Sequence, residues 1–377
     1  MYNIDENKIV IIEGKYAKAM IHTRDVEKYA LEQIEMICNN EVANGAKIVV
    51  MPDVHPGKVG PIGLTMTIQD RVIPNLLGVD IGCCVICAKL NEKKVEFQKL
   101  DTVIRDNIPA GTKIRNKPLL NFCDLENLYC INHIDYKKAN LSFGTLGGGN
   151  HFIEIGNGMY NGEYYLIIHT GSRHLGVEVT NYYVSEGAKL LKEKGEEVPY
   201  EMTYLEADLM RRYIYDVRLV QKYAEGNAEA ILKTICKYMK FKFDGWYYIP
   251  HNYIDSFNGE DILRKGAISA RSGEHVVIPI NMRDGVILGE GLGNPYWNFS
   301  APHGAGRLYS RSEVKNHFTV SAFKKEMKGV YSSCIGSGTL DEAPFAYRDI
   351  DYIKEAIKDT VEITDILKPV YNFKSGN

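Results

Sequence analysis

The sequence predicts an α+β fold in a single domain that spans residues 1–377. Short apolar runs that are typical of strands recur along the whole chain, and stretches with helical periodicity lie between them. Polar side chains directly follow several of the strand-like runs, as His169 and His251 do. Because the ends of strands are rigid, such side chains can converge on one site. Their spread along the chain favours one large domain over several small ones.

The predicted elements follow from the spacing of the apolar residues. Strands are expected at residues 47–51, 85–90, 164–169 and 275–281, and helices at residues 24–38 and 204–239. In the longer helix, apolar residues recur at three- or four-residue steps: Leu205, Leu209, Tyr213, Val217 and Val220. Residues 180–245 are therefore expected to form a helical excursion from the domain.

The composition is that of an ordinary globular protein. A net charge of -3 gives no general attraction to nucleic acid, so RNA binding would depend on a local basic patch. The eight cysteines follow no regular disulfide framework, and the polar N-terminus predicts no signal peptide. No apolar run approaches the roughly 18 residues of a membrane span. The sequence therefore predicts a cytoplasmic protein without a membrane partner, in which a cysteine is free to bind metal.

The first segment that could carry chemistry is Gly78-Val-Asp-Ile-Gly-Cys-Cys84. Asp80 and Cys83 lie three residues apart beside glycines. A tight loop would let this carboxylate and thiolate reach one metal ion, and a thiolate can also bridge two ions. Two other interpretations stay open: a run of buried apolar cysteines, or a redox pair of Cys84 and Cys87.

The second segment is Gly144-Thr-Leu-Gly-Gly-Gly-Asn-His-Phe-Ile-Glu-Ile155. Its four glycines would let backbone amides approach a phosphate, and three candidate contact residues follow them: Asn150, His151 and Glu154. The alternative is a flexible hairpin. Strand alternation would place His151 and Glu154 on opposite faces, so a bend is expected if both face one pocket.

The other three segments each contain a histidine. Two of them are His169-Thr-Gly-Ser-Arg173, whose arginine could bind a phosphate, and Pro250-His-Asn252. A lone histidine is more often a core or surface residue than a ligand. The third is Ser300-Ala-Pro-His-Gly-Ala-Gly-Arg-Leu-Tyr-Ser-Arg311, in which glycines leave space around His303.

Arg307 and Arg311 follow His303 closely, and their charge suits a nucleophilic imidazole that attacks a phosphoryl group. His303 could instead be a fifth metal ligand or a plain loop residue. Taken together, the five segments predict metal-dependent phosphoryl or nucleotidyl transfer.

These segments resemble those of one known family, the RtcB-type RNA-splicing ligases. The resemblance runs in order from about residue 20 to the C-terminus, and its Asn-His and His-Gly-Ala-Gly-Arg segments are highly specific. The matching segments are Met51-Pro-Asp-Val-His-Pro-Gly57, Gly78-Val-Asp-Ile-Gly-Cys83, the stretch 144–154, His169-Thr-Gly-Ser-Arg173, His251-Asn252, Arg264-Lys-Gly-Ala267, His303-Gly-Ala-Gly-Arg307, Ala346-Tyr-Arg-Asp349 and the late Lys374.

The resemblance implies a single RtcB-like α+β fold with its sheets around two Mn²⁺ ions. The residues that match the family's metal ligands are Asp80, Cys83, His151, His169 and His251, with Cys83 bridging the two ions. His303 matches the histidine that takes GMP from GTP. The residues that match the guanine nucleotide site are Asn150, Glu154, Tyr347 and Lys374, and Arg307 is expected beside them.

The implied substrates are GTP and RNA with a 3'-phosphate or 2',3'-cyclic phosphate at one end and a 5'-hydroxyl at the other. GMP would pass from His303 to the RNA 3'-phosphate, and the 5'-hydroxyl would then displace it. The resemblance leaves room for an accessory activating protein. One alternative is a binuclear metal-dependent phosphohydrolase or cyclic phosphodiesterase that acts on RNA ends without nucleotide. Another is a non-catalytic RNA- or nucleotide-binding relative.

The chain departs from the family pattern at three places, which bear on nucleotide and RNA-end preference. Leu263 stands where the family usually has histidine, Ile280-Asn-Met-Arg-Asp-Gly285 replaces a serine-containing turn, and His174-Leu-Gly-Val177 lacks a common histidine. Two basic clusters are candidates for RNA contact, although a solvated charged face is at least as good an interpretation. They comprise Lys113, Arg115 and Lys117, and Lys324, Lys325 and Lys328.

Overall fold

Two large sheets and the helices that pack against them form the fold of this chain. The computed structural model describes residues 2–4 and 9–375. The strands are β1 (Tyr2–Ile4), β2 (Val10–Glu13), β3 (Lys18–Ile21), β4 (Ile48–His55), β5 (Ile62–Ile68), β6 (Arg71–Val72), β7 (Cys84–Leu90), β8 (Phe152–Gly158), β9 (Tyr164–Thr170), β10 (Leu205–Glu206), β11 (Phe243–Pro250), β12 (Asn252–Phe257), β13 (Glu260–Lys265), β14 (Ala267–Ser269), β15 (His275–Asn281), β16 (Gly285–Gly291), β17 (Ser300–Pro302) and β18 (Val361–Lys374).

The α-helices lie between these strands in the chain. They are α1 (Lys28–Cys38), α2 (Pro74–Leu77), α3 (Phe97–Asn107), α4 (Tyr136–Ser142), α5 (His174–Glu193), α6 (Ala207–Met239), α7 (Arg311–His317), α8 (Val320–Glu326) and α9 (Ile350–Ala356). The mixture of helices with mostly antiparallel sheets confirms the predicted α+β class. Among the helices that the structure describes, none combines the length and the apolar character needed to cross a bilayer.

Each large sheet has seven strands. The first sheet has the order β1-β2-β3-β4-β5-β13-β12, and the second has the order β11-β7-β9-β8-β18-β16-β15. Within these sheets β3 and β4 pair in parallel, and the other described pairs are antiparallel. The second sheet therefore brings β8, β9 and β18 side by side although more than 190 residues separate β9 from β18 in the chain.

Apolar residues cover both faces of the second sheet. In β7, Cys84 and Ile86 belong to one buried cluster and Val85 and Cys87 to another, as the alternation of side chains across a strand requires. The cluster that contains Ile86 packs against α3 and the C-terminal half of α6. The cluster that contains Val85 packs against β14, β17 and α9. The sheet is thus enclosed, and polar side chains at the ends of its strands lie close to the interior of the molecule.

The long helix α6 packs against both sheets. Its N-terminal half contributes Tyr213 and Val220 to the core of the first sheet, and its C-terminal half contributes Ile231 and Ile235 to the core of the second. These buried residues follow the three- and four-residue spacing that predicted the helix. Residues 180–245 are therefore largely helical, and α6 supports the ends of β7 and β12 near which the candidate site lies.

The four predicted strands are confirmed as β4, β7, β9 and β15, and both predicted helices are present with later starts. The helix predicted from residue 24 begins at Lys28, because Glu27 has an extended backbone with ψ of 141°. The helix predicted from residue 204 begins at Ala207, because Leu205 and Glu206 pair with β6 instead. Apolar spacing predicted the buried face of each helix, but it did not predict the extended residues that precede each one.

Strand β4 extends four residues beyond its prediction and is distorted where it passes Pro52. Its pairing with β5 is regular up to Val50, then shifts before His55 pairs with Ile62. Proline has no N–H to donate, so it is tolerated where the ladder is interrupted. The distortion carries the fully buried Asp53 to the edge of the candidate site.

Candidate active site

A cavity of about 270 Å³ is lined by strands of both large sheets and by the loops at their ends. The cavity wall contains His303 and nearly all the residues that the sequence predicted to bind metal or nucleotide. The remaining one, His151, contacts residues of the wall. The lining residues among them are Asp80, Cys83, Asn150, Glu154, His169, His251, His303, Arg307, Tyr347 and Lys374. His151 lies directly behind, in contact with Asp80 and Cys83. Segments spread over most of the chain thus meet at one place.

The five predicted metal ligands form a continuous chain of short contacts. His151 Nε2 lies 3.2 Å from Asp80 Oδ2 and 3.5 Å from Cys83 Sγ. On the other side of the thiol, His169 Nε2 lies 3.2 Å from Cys83 Sγ and 3.2 Å from His251 Nε2. Cys83 is therefore central, with a carboxylate and an imidazole on one side and two imidazoles on the other.

The loop before β7 holds Asp80 and Cys83 on the cavity side. The Cys83 amide donates to the Asp80 carbonyl in a turn, and the Gly82 amide donates to the Asn252 carbonyl at 2.6 Å. Gly82 has a φ of 73° and packs so closely on α6 that an added Cβ would lie 2.9 Å from Ala224. A side chain at this position would push the loop away from the helix, so glycine is required here.

The glycine-rich loop before β8 ends at His151. The His151 amide donates to the Gly148 carbonyl at 3.4 Å, so this histidine lies in the turn and precedes the strand. It is therefore not subject to strand alternation, and the bend that the sequence required is supplied by the loop. Arg173 Nη1 lies 3.4 Å from His151 Nδ1, and Nη2 donates to the Gly111 carbonyl. Arg173 therefore braces the Nδ1 edge of the His151 ring.

The protonation states of the histidines suit a metal site. Burial lowers the pKa of His169 and of His251 well below the ordinary value, so both rings are neutral and can donate a lone pair. His169 Nδ1 faces the Asn150 carbonyl at 3.1 Å, which leaves Nε2 directed at Cys83 and His251. Imidazole nitrogens in this form are ordinary ligands of Mn²⁺, Zn²⁺ and related ions.

The protonation states of Asp80 and Cys83 are also compatible with a metal site. Burial opposes ionisation of Asp80, but hydrogen bonds from His151 and Cys83 and the charge of Arg173 outweigh it and lower the pKa to about 2. Burial and the neighbouring Asp80 charge raise the pKa of the Cys83 thiol well above its ordinary value. A bound cation reverses this effect, because it stabilises the thiolate directly. The cluster of Cys83, His151 and His169, with ligand atoms within 4.8 Å of one another, therefore fits a divalent metal.

His303 follows β17 and is paired with Asp53, a residue to which the sequence analysis gave no role. Asp53 Oδ2 accepts from His303 Nδ1 at 2.8 Å and from the Gly304 amide at 3.3 Å. The centroid of the His303 ring also lies 4.9 Å from that of the His251 ring, which places His303 beside the predicted metal ligands. The one signal in the sequence was the position of Asp53 just after an apolar strand, in a matching segment.

A second part of the cavity wall is formed by β8 and β18. Glu154 and Phe152 on β8 are paired with Asn372 and Lys374 on β18. Burial raises the pKa of Glu154 to about 8, although a hydrogen bond from Asn372 and the charge of Lys374 oppose this. The predicted Glu154 and Lys374 are therefore neighbours, and Asn372 between them was not foreseen.

A third group centres on Glu342, which the sequence analysis also missed. Glu342 accepts from Lys374 Nζ at 2.7 Å and from the Tyr347 hydroxyl at 2.7 Å, and it forms ion pairs with Arg311 at 2.8 Å and Arg307 at 3.4 Å. Burial opposes its charge, but Lys374, Arg311 and Arg307 lower its pKa to about 2. One buried carboxylate thus joins three cationic side chains around the cavity, two of which were predicted to contact nucleotide.

The positions that depart from the family pattern are accommodated in different ways. Leu263 is buried in the core of the first sheet. Asn281 lines the cavity, but its amide oxygen accepts from the amides of Arg283 and Asp284 and closes the hairpin between β15 and β16. His174 begins α5 and pairs with Glu178 on the same helix. The hairpin at Asn281 is therefore closed by its own hydrogen bonds and forms part of the cavity wall.

The two basic clusters proposed for RNA contact also differ from each other. The Arg115 guanidinium is turned inward and donates to the carbonyls of Asn107, Phe143 and Gly144. Lys113 and Lys117 are exposed. The residues of the other cluster are all exposed. Lys324 and Lys325 lie on α8, and Lys328 follows its end. Arg115 thus serves the glycine-rich loop, and the lysines stay candidates for RNA contact.

Comparison with known proteins agrees with this geometry. The family model described as tRNA-splicing ligase RtcB matches residues 36–128 and 121–375. The chain is 30% identical to RNA-splicing ligase RtcB of Escherichia coli strain K12, over 89% of this chain and 94% of that protein. It is 25% identical to tRNA-splicing ligase RtcB of Aeropyrum pernix, over 81% of this chain and 83% of that protein.

Proposed function

Because the chain belongs to the RtcB family and is an RNA ligase, we propose that it joins RNA 3'-phosphate or 2',3'-cyclic phosphate ends to 5'-hydroxyl ends with GTP. The observation that carries this proposal is the position of His303. Its ring lies on the cavity wall with its centroid 4.9 Å from that of the His251 ring, and Arg307 lines the same cavity. A nucleotide in the cavity would have its phosphates beside both the imidazole and the cationic side chains.

We propose that the protein uses two Mn²⁺ ions, which Asp80, Cys83, His151, His169 and His251 would hold. Bound divalent ions neutralise phosphate charge and promote ionisation of an attacking oxygen. Manganese is assigned through the family, because these ligand types also suit Zn²⁺ and Co²⁺. Cys83 must remain free of disulfides for this role, and we therefore place the enzyme in the reducing cytoplasm.

In the proposed first step, His303 Nε2 attacks the α-phosphorus of GTP. The Nε2–phosphorus bond forms as the bond to pyrophosphate breaks. Asp53 holds the proton on Nδ1, so the lone pair of the neutral ring lies on Nε2, and it stabilises the positive charge that develops on the ring. Arg307 lies close enough to the cavity to offset the negative charge of the phosphates.

In the following steps, an oxygen of the RNA 3'-phosphate attacks the phosphorus of GMP, and the Nε2–phosphorus bond breaks. The 5'-hydroxyl oxygen then attacks the 3'-phosphorus, and GMP leaves. These steps convert the RNA 3'-phosphate, a poor electrophile, into an activated end from which GMP is a good leaving group. Asn150, Glu154, Tyr347 and Lys374 are proposed to hold the guanine nucleotide throughout.

The test is incubation of the purified chain with Mn²⁺, α-phosphate-labelled GTP and an RNA with 3'-phosphate and 5'-hydroxyl ends. The proposal predicts label on the protein, then on the RNA 3'-end, and a joined product. All three should be absent from His303→Ala. Opening of a cyclic phosphate or removal of the 3'-phosphate without GTP would favour the phosphohydrolase alternative. The same assay shows whether an accessory activating protein is needed, because only the chain itself is present.

A further inference from the structure

A groove of about 680 Å³ adjoins the cavity on the side of Lys374, and the site described above does not use it. Residues from three segments line this groove, 105–113, 333–339 and 373–375, and we call it the Lys113 groove. Lys374 also lines the cavity, so the two spaces meet at the end of β18.

The Lys113 groove also lies close to the predicted metal ligands. The Gly111 amide donates to the Gly147 carbonyl in the glycine-rich loop, and the Gly111 carbonyl accepts from Arg173 Nη2 at 3.1 Å. Arg173 is the residue that contacts His151. The groove is therefore next to both the proposed nucleotide site and the proposed metal site.

The solvent-facing surface of the Lys113 groove is polar and cationic. Among the described residues that line it, the charged ones are all basic: Arg105, Lys113 and Lys374. The apolar Ile108 and Phe373, which also contribute to its wall, are buried. The exposed lining residues carry a cationic or hydroxyl group or are glycine: Arg105, Thr112, Lys113, Ser333, Ser337 and Gly338. Proteins use such groups to contact phosphate and sugar oxygens of nucleic acids.

The Arg105 guanidinium is held in place by groups of the protein itself. Arg105 Nε donates to Asp101 Oδ2 at 2.8 Å, and Nη2 donates to Ser333 Oγ at 2.6 Å. Asp101 is buried and also accepts from the hydroxyls of Ser333 and Tyr371. Arg105 Nη1 has no hydrogen-bond partner among the described residues, and 47% of the side chain is exposed. A donor that is fixed in this way loses little freedom when it binds a ligand.

Lys113 supplies the charge that is not offset in the groove. Lys374 is paired with Glu342, and Arg105 is paired with Asp101. Lys113 is exposed, and no ion pair involves it in the part of the chain that the structure describes. Because the net charge of the chain is -3, attraction of a polyanion depends on local cations of this kind.

We propose that the Lys113 groove binds the sugar–phosphate backbone of an RNA strand next to its reacting end, with Lys113 and Arg105 in contact with phosphate oxygens. This inference rests on the proposed function, because that function brings RNA ends to the cavity. An acidic peptide would pair with the two cations only, whereas the phosphates and 2'-hydroxyls of RNA pair with both the cations and the hydroxyl groups. Backbone contacts carry no base preference, so the groove accepts RNA ends of any sequence.

The test is equilibrium binding of short single-stranded RNA to the full chain with Mn²⁺ and without GTP, over a range of salt concentrations. One arm uses RNA with a 3'-phosphate end, and the other uses RNA with a 5'-hydroxyl end and a blocked 3' end. The arm that responds identifies the strand in the groove.

Lys113→Gln removes one phosphate contact. The slope of log affinity against log salt should therefore fall in magnitude by about 0.7 in at least one arm. The same slope corresponds to an affinity about fivefold lower at about 0.1 M salt than at the 1 M reference, so the loss at about 0.1 M is about fivefold. A residue that only stabilised the fold would leave the slope unchanged.

Arg105→Gln gives an independent measurement. It should weaken binding of the same RNA by about tenfold, which is the loss expected for one hydrogen bond to a charged group. This variant also removes the partner of Asp101 and so is exposed to a loss of stability. Lys113 is an exposed residue, and its replacement keeps the test decisive if Arg105→Gln does not fold.

The matched control is Lys117→Gln, which makes the same change in the same loop at an exposed lysine that is not among the residues lining the groove. It should keep the wild-type slope. Equal slopes for the wild-type chain and Lys113→Gln in both arms would overturn the inference, as would equal losses for Lys113→Gln and Lys117→Gln.

Labelling of His303 by GTP is measured separately, in the absence of RNA. Slower labelling in Lys113→Gln would show that the groove holds the phosphates of the nucleotide, and that result also overturns the inference. Loss of RNA affinity as expected, in a wild-type chain that GTP never labels, would count against the proposed ligase chemistry and leave the assignment of the groove standing.

Discussion

The pair of Asp53 and His303 joins residues that are 250 positions apart in the chain. Asp53 is completely buried, whereas 18% of the His303 side chain is exposed. A buried carboxylate that accepts from Nδ1 fixes both the tautomer and the plane of the ring. His303 therefore presents Nε2 in the form that a nucleophile requires.

Replacement of Asp53 by asparagine should slow transfer of GMP to His303 by about 10²- to 10⁴-fold, because an amide donor at Nδ1 would favour the proton on Nε2. Single-turnover labelling of the protein with GTP measures the rate. The control is Asp25→Asn, which alters a largely exposed carboxylate that pairs with Arg348. Labelling of Asp53→Asn at the wild-type rate would show that the tautomer is set in another way.

Glu154 predicts a pH dependence of nucleotide binding. Burial raises its pKa to about 8, so the free side chain is protonated below that pH, whereas Glu154 must be a carboxylate to accept from an N–H group of the guanine that it is proposed to hold. GMP affinity should therefore rise as the pH is raised from about 6 to 8 and then level off. Calorimetric titration across this range should also show proton release. A flat profile, or the same slope in Glu154→Gln, would contradict this assignment.

At the scale of elements, the loops that end at strand boundaries determine the site more than the strands do. In the glycine-rich loop, Gly147 has a φ of 91° and an added Cβ would lie 2.0 Å from Arg173 Nη1 and 2.5 Å from His151 Nδ1. The space that a side chain would occupy is therefore filled by the arginine that contacts His151, a proposed metal ligand.

Gly147→Ala should accordingly weaken Mn²⁺ binding by about 10- to 100-fold, the range seen when the supports of metal ligands are lost. Gly162→Ala is the matched control, because Gly162 has a φ of 67° with nothing within 4 Å of the added Cβ. It also places alanine at a positive φ, but without the clash. Equal Mn²⁺ affinities for the two variants would exclude the proposed role of the loop.

The elements themselves were largely predictable from the sequence, since apolar spacing reports which face of a helix or strand is buried. The starts of α1 and α6 were not, because Glu27 is extended before α1, and Leu205 and Glu206 pair with a strand more than 130 residues earlier in the chain. The extension of β4 past Pro52 was missed for a similar reason. Proline argues against a strand locally, and only the partner strand shows that the ladder is already broken there.

At the scale of the whole molecule, Glu342 links three distant parts of the chain. Its carboxylate contacts Lys374 on β18, Arg311 at the start of α7 and Tyr347 before α9. With Arg307, which lies 3.4 Å from the same carboxylate, three cationic side chains are held around the cavity by one buried anion. The arrangement serves stability, and it also positions groups that are proposed to meet a nucleotide.

The cluster predicts how stability changes with acid. The pKa of Glu342 is lowered to about 2 in the fold, so its ion pairs stabilise the protein above the ordinary carboxyl pKa and fade as the pH falls toward 2. Glu342→Gln should lower the free energy of unfolding by about 3–5 kcal/mol at neutral pH, because it leaves buried cations unpaired. Urea unfolding should show this difference shrinking below about pH 4.5.

The exposed Glu197 offers a control, since Glu197→Gln should change the unfolding free energy by no more than about 0.5 kcal/mol. The contrary result is that the free energies of unfolding of wild type and Glu342→Gln differ by the same amount at pH 7 and at pH 3. That result would show that the carboxylate charge does not stabilise this region.

The sequence predicted the members of the site better than their partners. Histidines and glycines in specific segments identified the residues on the cavity wall. Asp53, Asn372 and Glu342 were missed because each owes its role to a contact with a residue far away in the chain. Local spacing carries no information about such contacts, whereas the register of β8 with β18 and the position of β17 beside β4 fix them.

The central claim is that His303 carries GMP during RNA joining. Its most direct test is mass spectrometry of the intact chain and of its peptides after incubation with GTP and Mn²⁺. The account predicts one added GMP, located on His303 and absent from His303→Ala, which disappears when RNA with a 3'-phosphate end is added. A joined RNA product from a chain that never carries GMP, or GMP on another residue, would contradict it.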